Sequence, residues 1–120
     1  MTQTQAYSGQ CQCGAVRYQV RTDLSGLGEC NCSRCRRLGW VLQPVPGSDF
    51  TLLSGEDHLV RYRFNTDKID HLFCRTCGIE SFARSVDREG NLGFVVNVTC
   101  FEPPIPIDRS AITHWDGASF

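Results

Sequence analysis

Hydrophobic and polar positions alternate along much of this chain, and the alternation has the period of strands. Ala15 to Val20 alternates apolar and polar residues, and Leu59 to Phe64 reads Leu-Val-Arg-Tyr-Arg-Phe, the pattern of a half-buried strand. Denser apolar stretches cover Trp40 to Val45, ended by Pro44, Pro46 and Gly47, and Phe50 to Leu53, closed by Ser54 and Gly55. Ile69 to Phe73 runs directly into Cys74 after the turn segment Asn65-Thr66-Asp67. Ser81 to Val86 and Leu92 to Val98 flank the turn residues Asp87 to Gly90 and predict a hairpin. Helical signals are few: one turn over Ser33 to Leu38, with Ser33 placed to cap it. Pro103, Pro104 and Pro106 keep the stretch after Phe101 extended or looped. Short strands at this spacing predict an all-β fold, and the absence of repeats, low-complexity segments and linkers predicts one domain over residues 1–120.

Composition narrows the class. A chain of 120 residues builds only a modest core, so covalent or metal staples would add to it. The hydrophobic share of 41% and charged share of 21% are those of a globular protein, and a formal net charge of -1 argues against nucleic-acid or membrane-surface partners. No apolar run has the length of a membrane span. Met1 to Gln10 is polar and lacks the charged-then-apolar pattern of an export signal, so a cytoplasmic location is expected.

The eight cysteines change the picture: Cys11, Cys13, Cys30, Cys32, Cys35, Cys74, Cys77 and Cys100. In a reducing compartment they stay thiols. They cluster as Cys-x-Cys, Cys-x-Cys-x-x-Cys and Cys-x-x-Cys, spacings that chelate one ion more readily than they form disulfides. Cys11-Gln12-Cys13-Gly14 and Cys74-Arg75-Thr76-Cys77-Gly78 read as two zinc knuckles, each closed by a glycine that lets backbone N–H groups turn toward sulfur. Together they make a four-thiolate structural site with no vacancy; apart, each pair serves a different ion. Cys30, Cys32 and Cys35 offer three thiols within one turn, and a zinc with three protein ligands keeps a position for water or substrate. Soft thiolate donors favour an incoming thiol there over hydroxide. Arg34, Arg36 and Arg37 surround this cluster, either as contacts for an anionic substrate or as a solvated basic face. His71 is a candidate metal ligand or proton carrier, Cys100 a candidate fourth ligand or a buried apolar residue, and His58 and His114 are given no chemistry.

The segments Gly9-Gln10-Cys11-Gln12-Cys13-Gly14-Ala15-Val16, Cys30-Asn31-Cys32-Ser33-Arg34-Cys35-Arg36-Arg37 and His71-Leu72-Phe73-Cys74-Arg75-Thr76-Cys77-Gly78-Ile79, with Val96-Asn97-Val98-Thr99-Cys100 and His114-Trp115-Asp116-Gly117, resemble the glutathione-dependent formaldehyde-activating enzyme family (GFA, CENP-V-like) over nearly the whole chain. The resemblance implies an Mss4-like (β-tent) fold, two zinc ions per chain, a structural zinc on Cys11, Cys13, Cys74 and Cys77, and a catalytic zinc on Cys30, Cys32 and Cys35. It also implies a carbon–sulfur lyase akin to S-(hydroxymethyl)glutathione synthase, joining glutathione or another small thiol to formaldehyde or a related aldehyde. The rival reading is a non-catalytic zinc module, acting as a glutathione carrier or as a platform for protein partners.

Overall fold

The computed structural model describes residues 4–63 and 69–119. Among these residues the chain forms ten strands and one α-helix, besides short 3-10 turns: β1 (Gln5–Gln10), β2 (Arg17–Thr22), β3 (Gly28–Cys30), α1 (Ser33–Leu38), β4 (Leu42–Pro46), β5 (Phe50–Ser54), β6 (Leu59–Tyr62), β7 (Ile69–Cys74), β8 (Phe82–Val86), β9 (Leu92–Asn97) and β10 (Thr113–Trp115). The all-β expectation holds. Phe64 and the expected turn Asn65-Thr66-Asp67 lie outside the described residues. Among the described residues no helix is long and apolar enough to cross a membrane.

Two sheets share the core. One is three-stranded, in the order β1-β2-β5; the other is seven-stranded, in the order β10-β3-β4-β9-β8-β7-β6. The alternation in β2 sends Tyr18, Val20 and Thr22 inward and Arg17, Gln19 and Arg21 outward. Tyr18 and Val20 meet Phe82, Val96, Val98 and Phe101 in one buried cluster. Rings dominate it: Phe50 stacks on Phe94 with centroids 4.0 Å apart, and Tyr18 stacks on Phe50 at 5.5 Å. The Tyr18 hydroxyl, which burial would otherwise strand, donates to the Asn97 carbonyl at 3.0 Å.

β1 was not anticipated from the sequence because its apolar content is slight. It is a polar edge strand in which Tyr7 and Gly9 turn toward the core, Tyr7 stacking on Phe101 at 5.0 Å. A Cβ on Gly9 would stand 2.3 Å from Tyr18 Cζ, so the Tyr18 ring occupies the space that glycine leaves. Gly9→Ala is therefore expected to lower stability by about 2–3 kcal/mol through overpacking, read as a lower urea midpoint at unchanged slope.

β4 ends at Pro46, one residue beyond the apolar stretch read from the sequence, and carries Pro44 within it. β4 pairs with β9 over Leu42 to Pro46 but with β3 only at Gly28–Leu42, so Pro44 and Pro46 lie past that pairing, where their missing N–H groups cost little. The buried Gln43 side chain takes over part of the edge, accepting from Gly26 N at 3.0 Å and donating to the Pro44 carbonyl at 2.9 Å. At the far end, β10 pairs with β3 in parallel, aligning Trp115 with Cys30.

Candidate metal centres

The first centre is built at the ends of two strands from separate parts of the chain. Cys11 and Cys13 follow β1, and Cys74 closes β7 with Cys77 just beyond. Their four sulfurs lie within 4.8 Å of one another, with Cys11–Cys13 at 3.6 Å and Cys13–Cys74 at 3.7 Å. Thiolates about 2.3 Å from a tetrahedral zinc stand about 3.8 Å apart, so these spacings fit that ion. The knuckles share a backbone plan. Cys11 N donates to the Val16 carbonyl and Cys74 N to the Ile79 carbonyl, both at 3.0 Å. Gly14 and Gly78 turn through φ +81° and +79°, where a side chain would be strained. Val16 N then reaches Cys11 Sγ at 3.3 Å and Thr76 N reaches Cys74 Sγ at 3.4 Å. All eight cysteines are free thiols. Burial opposes ionisation of Cys77, but the Ile79 amide and neighbouring groups outweigh it and bring the thiol down to about 6.

The second centre is local. Cys30 ends β3, Cys32 precedes α1 and Cys35 lies in its first turn, their sulfurs again within 4.8 Å of one another. The helix cap is not Ser33, as the sequence suggested, but Cys32, whose sulfur accepts from Cys35 N at 3.3 Å. Cys32 N donates to Cys30 Sγ at 3.4 Å. These amides make the loop a receptor for negative sulfur. Burial raises the Cys32 thiol, yet the amides of Cys35 and Arg34 hold it below the ordinary value, whereas burial drives Cys35 well above it. The indole N–H of Trp40 is buried without a hydrogen-bond partner of ordinary geometry; it lies against Cys35 and favours that sulfur's ionised form. The amide donors and the indole N–H beside Cys35 favour thiolates, and three converging thiolates suit a soft divalent cation such as zinc.

Neither suggested fourth ligand joins this group. Cys100 lies on the side of Cys11 and Cys77, close to the Ser81 hydroxyl, and burial pushes its thiol up to about 11. His71 is buried in β7 and meets Glu80 Oε2 through Nδ1 at 2.8 Å. The other oxygen of Glu80 takes Arg34, from Nη2 at 2.6 Å and Nε at 3.1 Å. Arg34 also lies 4.8 Å from the centre of the Tyr62 ring, so it is engaged inside the protein. Arg36 borders the second centre, and Arg37 binds back to the Ser33 carbonyl at 2.9 Å.

The second centre opens into a pocket of about 500 Å³ that Cys30 and Cys35 line together with Trp40, Trp115, Arg36 and His114. One wall is formed by His114 and Trp115 of β10 and by Asp116 just after it. Asn31 N donates to the Trp115 carbonyl at 3.1 Å, Asn31 Nδ2 to Asp116 Oδ1 at 3.0 Å, and Ala118 N to Asn31 Oδ1 at 3.0 Å. Gly117 passes so close that a Cβ there would meet Cys30 Sγ at 2.5 Å. His114, given no chemistry from the sequence, lines this pocket and holds Glu29 Oε1 at 2.9 Å through Nδ1. Its only sequence signal was its place in His114-Trp115-Asp116-Gly117, because the parallel pairing that brings it beside Glu29 spans three residues.

Comparison with known proteins agrees with this geometry. The family model described as glutathione-dependent formaldehyde-activating enzyme matches residues 6–115. A crystal structure of a Rhodobacter sphaeroides protein, a structural-genomics target, superposes with a TM-score of 0.76 at 34% identity, covering 90% of this chain and 98% of that one. The fold is the all-β, Mss4-like arrangement.

Proposed function

We propose, for a chain that belongs to the glutathione-dependent formaldehyde-activating enzyme family, that it joins a small thiol such as glutathione to formaldehyde or a related aldehyde at the three-cysteine centre, as a zinc-dependent carbon–sulfur lyase. The observation that carries this reading is the contrast between the two centres: four sulfurs gather at one site, while the other has three, and two of its cysteines, Cys30 and Cys35, line a pocket. Cys30, Cys32 and Cys35 would hold a zinc ion, which would supply Lewis acidity and lower the pKa of a thiol bound to it. Trp40 and Trp115 give the pocket apolar walls that limit water, and Arg36 offers a guanidinium to a substrate carboxylate. In the reaction a sulfur–carbon bond forms, the carbonyl π pair moves to oxygen, and that oxygen gains the proton the thiol gave up. Two histidines are candidates to move that proton. His71 is buried against Glu80, whereas His114 lines the pocket and is oriented by Glu29. We therefore favour His114 as the proton carrier.

The test mixes purified protein, glutathione and isotopically labelled formaldehyde and follows hemithioacetal exchange by NMR. Acceleration over the uncatalysed rate supports the lyase; glutathione bound without acceleration makes the protein a carrier. His114→Gln is expected to slow exchange by about 10²-fold with both metals retained.

A further inference from the structure

The two cysteine centres are tied together by one buried carboxylate. Glu80 follows the second knuckle by three residues, and its side chain is 1% exposed. Its backbone is fixed by Asn97 Nδ2, which donates to the Glu80 carbonyl at 3.0 Å. Both carboxylate oxygens are committed, Oε2 to His71 and Oε1 to Arg34. Arg34 sits between Cys32 and Cys35, in the first turn of a six-residue helix too short to hold its own shape in water. A buried carboxylate with a two-pronged guanidinium contact is a directional link, and removing either partner leaves charge uncompensated.

We propose that Glu80 is a positioning residue for the open centre: anchored beside the closed centre, it holds Arg34 and thereby the Cys32–Cys35 turn in the geometry that retains a metal. The proposal rests on the reading that the three-cysteine centre binds zinc. The closed centre thus acts as the foundation of the open one, with Glu80 as the strut. Partners of this kind, one step removed from the metal, typically change its affinity by about 10–100-fold.

The experiment measures zinc release from the two-zinc protein to a chromophoric chelator, the open-centre phase being the one missing from Cys32→Ser. Glu80→Gln is expected to speed the open-centre phase by about 10–100-fold and to leave the closed-centre phase unchanged. Arg34→Ala approaches the same link from the helix and serves if Glu80→Gln fails to fold. It should reproduce the effect, and the double variant should release metal no faster than Arg34→Ala alone, since Glu80 acts through Arg34. Equal acceleration of both phases, an unchanged open-centre phase, or multiplying effects in the double variant would overturn the proposal. Wild-type protein that binds one zinc per chain would overturn the metal reading itself, an outcome distinct from the others.

Discussion

Cys74→Ala is expected to abolish cooperative folding. Cys74 ends β7, pairs with Leu59 of β6 and is 0% exposed, so its sulfur belongs to the core as well as to the closed centre. It lies 3.7 Å from Cys13, a residue 61 positions earlier in the chain. A cation held there closes a long loop, whose entropy the unfolded chain would otherwise regain. Structural zinc sites contribute about 10–16 kcal/mol in small domains, as much as or more than the roughly 5–15 kcal/mol by which a whole domain is ordinarily stable. The variant should show no sigmoidal thermal transition and should lose near-ultraviolet dichroism from its packed aromatic rings. Prolonged chelation of the wild type should do the same. A cooperative melt within a few degrees of wild type would remove the structural role assigned to this centre.

Cys32→Ser is expected to have the second-largest effect, on chemistry and not on fold. Cys32 is both a candidate ligand and the cap of α1. Serine keeps an acceptor for Cys35 N, so the cap survives, whereas an uncharged hydroxyl is a poor substitute for a thiolate at a soft site. Metal content should fall from two to one per chain, and exchange between formaldehyde and glutathione should fall to the uncatalysed rate. The midpoint of unfolding should move little, because the closed centre and the Tyr18–Phe50–Phe94 core are untouched. Retained activity in a one-metal protein would place the chemistry elsewhere.

The sequence revealed most where structure is local. The knuckles were readable because cysteines two or three apart can serve one ion whatever surrounds them, and β8 and β9 because the turn residues Asp87 to Gly90 mark the hairpin between them. β1 escaped because a polar edge strand needs only Tyr7 and Gly9 to face inward. β4 was legible from its apolar run to within two residues at its start and one at its end, although nothing local says that the Gln43 side chain would serve its open edge. The site divided in the same way. Its thiols were evident from spacing, but Glu80 and His114 acquire their positions from pairings between distant segments. His71 attracted attention by standing three residues before Cys74, yet the pleat turns it toward Glu80.

The wall that His114, Trp115 and Asp116 build beside Cys30 and Cys35 also sets an order of events during synthesis. A chain leaves the ribosome from its N-terminus, so all four thiols of the closed centre are available once Cys77 has emerged. The residues that clasp Asn31 come about forty positions later, a few seconds at about 5–20 residues per second. During that interval Cys30, Cys32 and Cys35 form a bare chelating loop, open to oxidants and to any thiophilic ion. Arrival of the Asn31 clasp converts the loop into a pocket. The ligands of the closed centre are thus complete about forty residues before those that clasp the three-cysteine loop.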